Sequence, residues 1–206
     1  MSARVPQITA ALERSPSFAT VDAAPTFAAL PALAGSFARD TLGAAARVTS
    51  EEPGDAAERE RLLDEAFGVE RFKKSAERLR AGRAPARGLS LKAVDGWSVI
   101  GTLRLWDIYA GFGRPALLLG PLAVAAQRRG EGVGAALVEE GLRRARNQGR
   151  RAVLLVGDAA YYSRFGFTPR LTEGLSFPGG VDARRFLGLE LVAGALRGAH
   201  GPVFAG

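Results

Sequence analysis

The sequence predicts a mixed α/β (α+β) domain, and three observations carry that prediction. β-rich runs and amphipathic helical stretches follow one another in the order ααββ-β-α-β-α-β. The run "ALLLGPLAV" (116–124) is apolar at nearly every position, the pattern of a strand buried on both faces. The glycine-spaced stretch "VAAQRRGEGVGAAL" (124–137) then joins that strand to a helix.

Each element has its own local signal. Pro53-Gly54-Asp55 is helix-entry chemistry, and Glu58 stands three residues after Asp55 in the manner of a capping box. Leu62, Leu63, Ala66 and Phe67 form its apolar stripe, and Gly68 stops it. A second helix is expected over "ERFKKSAERLRAG" (70–82), with Phe72, Ala76 and Leu79 at helical spacing. "LSLKAVDGWSVIGTLRLW" (89–106) reads as a hairpin turning at Asp95-Gly96. Gly120-Pro121 interrupts the apolar run, and because proline lacks the N–H a ladder needs, a bulge or a parting of strands is expected there.

The helix after the glycines is expected from Gly134 to Gln148. Val138, Gly141 or Leu142, and Ala145 form its inner face, while Glu139–Arg143 and Glu140–Arg144 make outer i,i+4 pairs. "RAVLLVGD" (151–158) is the next strand, "AAYYSRFGF" (159–167) a short helix and turn, and "FLGLELV" (186–192) a late strand. Residues 1–45, rich in Ala, Ser and Pro, read as a weakly ordered extension before a domain spanning 46–206.

Composition narrows the chemistry. With no cysteine, thiolate metal sites and a cysteine nucleophile are excluded. The single histidine, His200, makes a zinc site or a Ser-His triad a poor fit, so no metal is expected. A net charge of +7 favours anionic ligands without choosing among them. No apolar run reaches the ~20 residues of a membrane span, and no secretory signal pattern opens the chain, so a cytoplasmic protein without a membrane partner is expected. The basic runs "RLRAGRAPARG" and "RRARNQGRR" lack the interleaved aromatics that stack bases, which disfavours nucleic acid as a partner.

The glycine loop carries the function. It opens a helix, where the first-turn N–H groups lack partners and the dipole is positive, a combination suited to phosphate. Glycine keeps side chains off those amides and permits positive φ, and Arg128 and Arg129 add charge at the rim. A P-loop is excluded because no Gly-Lys-Ser/Thr occurs. Gly130, Gly132 and Ala135 do satisfy the dinucleotide pattern G-x-G-x-x-A, with Asp158 after the next strand. That fold runs its strand almost directly into the first glycine, whereas "AAQRR" intervenes here.

Arg129, Gly132 and Gly134 also occupy the marked positions of the Q/R-x-x-G-x-G/A loop of the GNAT superfamily of N-acetyltransferases, which this segment resembles. "LLLGPLAVAAQRRGEGVGAAL" is similar to that family's bulged fourth strand, loop and helix, and "RAVLLVGDAAYYSRFGF" to its fifth strand and tyrosine-bearing turn. The wording resembles the YhbS-like subgroup. The resemblance implies a GNAT fold: a mixed central sheet whose fourth and fifth strands splay, with flanking helices.

It further implies acetyl-CoA as cosubstrate and a primary amine as acceptor. The main-chain amides of Arg129, Gly130, Glu131, Gly132, Val133, Gly134 and Ala135 would take the pyrophosphate. Leu122, Ala123 and Val124 would pair with the pantetheine arm as an added strand does. Tyr162, in "YYSRFGF", stands where the family has its catalytic tyrosine, whereas Tyr161 is expected to be structural and Asp158 a helix N-cap. "ALLLGPLAV" holds no acid, so the glutamate often found on the family's fourth strand has no counterpart. The acceptor is expected between the first two helices and the late strands that include "DARRFLGLELV". A non-catalytic acyl-CoA sensor and a nucleotide-binding protein stay as alternatives, distinguished by turnover and by NAD affinity.

Overall fold

A computed structural model describes residues 46–206, and the extension expected over 1–45 lies outside them. The elements are β1 (Ala46–Ser50), α1 (Ala56–Phe67), β2 (Ser90–Asp95), β3 (Ser98–Ala110), β4 (Pro115–Val124), α2 (Val133–Asn147), β5 (Ala152–Val156), α3 (Ala159–Tyr162), β6 (Leu175–Ser176), β7 (Phe186–Glu190) and β8 (Gly201–Ala205). Strand order is β1-β2-β3-β4-β5-β7, with β4 and β5 parallel and the other pairs on this path antiparallel. β4 occupies one edge of β3, so β2 and β8 share the other, β8 pairing at Ile108–Ala110.

The uniform apolarity of β4 is explained by its position in the middle of the sheet. Leu117 and Leu119 join one core cluster with Val153 and Leu155, while Leu118 joins another with Leu154, Trp106 and Phe186. Period-2 alternation thus feeds two cores at once. α2 covers the first face with Val133, Leu137, Val138, Leu142 and Ala145. α1 adds Leu62 and Leu63 against Val94, Val99 and Ala123.

Several expectations change in the folded chain. The second helix is instead two 3-10 turns, Val69–Lys73 and Ser75–Leu79, separated by an extended Lys74. Arg71 ties this segment back to α1 through Asp64 (2.8 Å) and Glu60, and Phe72 is 58% exposed rather than part of a buried stripe. Local propensity is a weak prior against such ties. The capping box lies three residues earlier: the Glu52 N–H donates to Asp55 Oδ2 (2.6 Å), and Asp55 also takes the Lys92 ammonium (2.7 Å). The hairpin pairs Asp95 with Ser98, so Gly96-Trp97 forms the turn. In α2, Glu140 takes both Arg143 and Arg144 (each 2.7 Å), leaving Glu139 out of the pairing expected with Arg143. β1, β6 and β8 were not legible locally. They are two to five residues long, and tertiary pairing makes them strands.

Candidate active site

The bulge expected at Gly120-Pro121 is present. Leu103 pairs with Leu122 and Leu105 with Leu119, so Arg104 alone on β3 opposes Gly120 and Pro121 on β4. Three groups hold it. Gly120 has φ +120°, a conformation side-chain-bearing residues rarely adopt. The buried Trp106 indole N–H donates to the Gly120 carbonyl (2.7 Å). Arg104 is held by Glu51, its Nε 2.9 Å from Oε2, and Glu51 also takes Arg59 from α1.

β4 and β5 pair only at Leu117–Val153 and Leu118–Leu154. Beyond those rungs they separate, so one edge of β4 from Leu119 to Val124 has no strand partner among the described residues. The gap opens into a cavity of about 580 Å³. Its walls are the bulge (Leu119 to Leu122), the start of the β5–α3 connection (Val156 to Asp158), Tyr162, α1 and the 3-10 turns, and Val181 with Arg185 ahead of β7. That volume lies within the ~300–1,000 Å³ typical of small-molecule sites. This is also where the sequence expected an acceptor, between the 50–80 segment and the late strands.

The glycine loop lies at the far end of the open β4 edge. Main-chain N–H groups from Gly130 to Ala135 have no hydrogen-bond partner among the described residues, and the ladder starts with Ala136 donating to the Gly132 carbonyl (3.0 Å). Gly130 (φ +86°) and Gly132 (φ +79°, the N-cap) supply the left-handed turn, and no side chain caps the helix. Unpartnered amides at a helix N-terminus of this length form an anion cradle.

The neighbouring side chains have different roles from those expected. Gly134 is in ordinary helical conformation, and a Cβ there would sit 2.9 Å from the Tyr161 hydroxyl. Its absence makes room for that phenol beside Leu122 and Val124, so Tyr161 reaches the loop. Arg128 is engaged by Asp95 and Glu131 (each 2.6 Å), and Arg129 Nε donates to the Val124 carbonyl (3.4 Å). Leu122 and Val124 pack against the α2-side core, whereas the Ala123 side chain is buried against α1. Glu131 is exposed and Val133 buried, so they offer the loop only main chain.

Asp158 is the N-cap of α3, its Oδ1 accepting from the Ala160 N–H (3.0 Å). Tyr162 leans on Phe165 and Phe167 and lines the cavity. Its ring crosses Gly157 so closely that a Cβ there would fall 2.4 Å from Cε2. Burial, with a smaller contribution from Tyr161, pushes the Tyr162 hydroxyl well above the ordinary phenol range, so it is protonated at neutral pH. The hydroxyl has no hydrogen-bond partner among the described residues.

A parallel strand pair that opens past a bulge, with unpartnered amides at the next helix, leaves a slot whose shape and donors suit an extended anionic molecule. A family model described as "Acetyltransferase (GNAT) domain" matches residues 91–169. The structure is similar to the GNAT family N-acetyltransferase YhbS from Escherichia coli in complex with CoA, at 32% identity and TM-score 0.66, covering 78% of this chain and 89% of that one. It is also similar to a GNAT family acetyltransferase from Brucella melitensis in complex with acetyl-CoA, at 30% identity and TM-score 0.55, covering 71% and 88%. A curated relative, the uncharacterized N-acetyltransferase YjhQ of Escherichia coli strain K12, is 42% identical over 52 residues, a match spanning 25% of this chain and 29% of that relative. The chain belongs to the GNAT family of N-acetyltransferases.

Two parts of the site escaped the sequence reading. Gly157 followed a strand with no spacing signal to mark it, although Tyr162 requires it. Arg80 sat in a basic run marked only by its lack of interleaved aromatics, yet it is 9% exposed and lines the cavity. No short-range pattern identifies either residue, because each acquires its role from a segment distant in sequence or on another element.

Proposed function

We propose that the chain is a cytoplasmic acyltransferase that moves an acetyl group from acetyl-CoA to a primary amine by direct attack. The observation carrying this reading is the parting of β4 from β5 after Leu118–Leu154, with unpartnered amides at one end of the gap and Tyr162 at the other. Supporting it, similar proteins were solved with CoA and with acetyl-CoA bound. Among the described residues, no helix is long and apolar enough to cross a membrane.

The residues fit the cosubstrate. Amides from Gly130 to Ala135 hold the diphosphate, whereas the Arg129 N–H expected to join them is turned to the Ala126 carbonyl (3.4 Å) by the preceding 3-10 turn, and the bare edge at Leu122, Ala123 and Val124 takes the pantetheine amides as a neighbouring strand would. Bound acetyl-CoA supplies an activated acyl group as a thioester. The acceptor nitrogen forms a bond to the acyl carbon, the C–S bond breaks, and the nitrogen loses a proton. An N–H on the open β4 edge at 122–124 stabilises the charge that develops on the carbonyl oxygen.

Tyr162 donates toward the departing sulfur. A phenol raised by burial is a weaker acid than usual, but the same dry site raises the thiol's pKa, so the two remain matched. Neutralising a lysine-like amine at pH 7 costs ~4.6 kcal/mol. β4 offers no carboxylate for that task, Asp158 is committed to its cap, and Glu77 faces the Arg80 guanidinium (3.3 Å). Water reaching the cavity is therefore assigned as the proton acceptor.

The test is release of free CoA from acetyl-CoA against an amine panel, alongside CoA calorimetry. Tyr162→Phe is expected to slow turnover by ~10²–10⁴-fold with CoA affinity unchanged. CoA binding without turnover of any amine would favour a sensor instead, and heat with NAD but none with CoA would overturn the reading.

A further inference from the structure

The cavity is strongly basic at the end away from the glycine loop. Of its cations, Arg71 is held by Glu60 and Asp64, and Lys73 by Glu70 (2.8 Å). Lys74, Arg80 and Arg185 remain, with Glu77 the one lining carboxylate not already engaged as a cap. Arg185 makes only a long contact from Nε to the Gly157 carbonyl (3.5 Å). Lys74 rests over the Phe67 ring (4.3 Å).

Arg80 is the telling member. Its guanidinium is buried, its Nε has no partner, and its contact with Glu77 is 3.3 Å. Nη1 lies 4.0 Å from where a Gly120 Cβ would be, beside the bulge. A buried guanidinium is costly unless its donors are matched, and this one has more donors than acceptors. The site is short of an anion. The glycine loop contributes nothing to the lining, so these cations stand apart from the proposed diphosphate cradle.

We propose that Arg80, with Lys74 and Arg185, binds an anionic group on the acyl acceptor, so that the substrate is an amine that also carries a carboxylate or phosphate. This rests on the acyltransferase reading for the identity of the bound molecule as the acceptor. A guanidinium suits both oxyanions because its parallel N–H groups match two oxygens. Burial lowers the pKa of Arg80, and Lys74 is lowered by burial and then by Arg185 and Arg80, as expected of crowded cations awaiting a counter-charge.

The test uses matched probes on the full chain: 4-aminobutyrate against butylamine, and O-phosphoethanolamine against ethanolamine. Each anionic member at about 100 times its dissociation constant is expected to raise Tm by roughly 5–10 °C, with the counterpart that lacks the anion near zero at the same concentration. The lower dissociation constant between the carboxylate and phosphate arms names the group. Arg80→Met should abolish the shift and leave CoA affinity unchanged. Arg185→Gln, at an exposed position, should weaken binding of the anionic member about tenfold and so roughly halve the shift. No shift with either anion, an equal shift with butylamine or ethanolamine, or a shift surviving both substitutions would overturn the proposal. So would a loss of CoA affinity in Arg80→Met, which would give these cations to the donor. Because CoA heat is measured separately, failure of the acyltransferase reading and failure of the anion site give different results.

Discussion

The two ends of the cleft are built from different materials. At the glycine loop the polar groups are main-chain amides, Gly130 to Ala135, and the neighbouring charges are already occupied: Arg128 by Asp95 and Glu131, Arg129 by the Val124 carbonyl. At the other end side chains do the work. Arg80, Lys74 and Arg185 project from 3-10 turns and a loop, and Tyr162 is held across Gly157. A cradle of backbone recognises what every donor of its class carries, whereas a cage of side chains can change without disturbing a strand or a helix. The first end suits a constant cosubstrate and the second a particular acceptor.

That contrast can be tested by breaking each end separately. The largest effect is expected from Gly157→Ala. The added methyl displaces the Tyr162 ring, and a shift of about 1 Å should cost on the order of 10²-fold in kcat while calorimetry with CoA stays unchanged. If CoA binding fell with kcat, the two ends would not be separable.

Gly132→Val should act at the opposite end. Forcing a β-branched residue to φ +79° costs about 1–2 kcal/mol and crowds the amides, so CoA binding should weaken about tenfold. Here KM for the donor should rise more than kcat falls, the reverse of Gly157→Ala.

Arg128→Gln is expected to change CoA affinity by about twofold or less, because that charge is spent on Asp95 and Glu131. A large loss would return Arg128 to the rim role that its position in the sequence suggested.

The smallest effect concerns pH. kcat/KM should rise as the acceptor amine loses its proton. No falling limb is expected below about pH 10, since Tyr162 is raised above its usual value and its donating form persists. A rate profile that fell between pH 7 and 9 would remove Tyr162 as the donor.

Legibility in the sequence follows the same division. The loop could be read from the spacing of Gly130, Gly132 and Gly134, although Gly134 serves the Tyr161 hydroxyl rather than a positive φ. The bulge could be read from Gly120-Pro121, because a missing N–H is a local fact with a local consequence. The stretch 70–82 was misread because its apolar spacing is helical, while Arg71 folds it back onto Glu60 and Asp64. Asp95-Gly96 located the hairpin within one residue of the turn.

By itself the sequence determined the alternating layers, the broken fourth strand and the glycine loop, all of which depend on neighbours within a few residues, while Tyr162 was singled out by the family resemblance. Only the tertiary structure decided that Tyr161 reaches the loop, that Gly157 must stay bare beneath Tyr162, and that Arg80 is buried and short of an acceptor. Backbone conformation is governed by short-range sterics and so leaves a trace in residue order. A cavity wall assembled from positions 63 to 185 is governed by long-range packing, which no local pattern encodes.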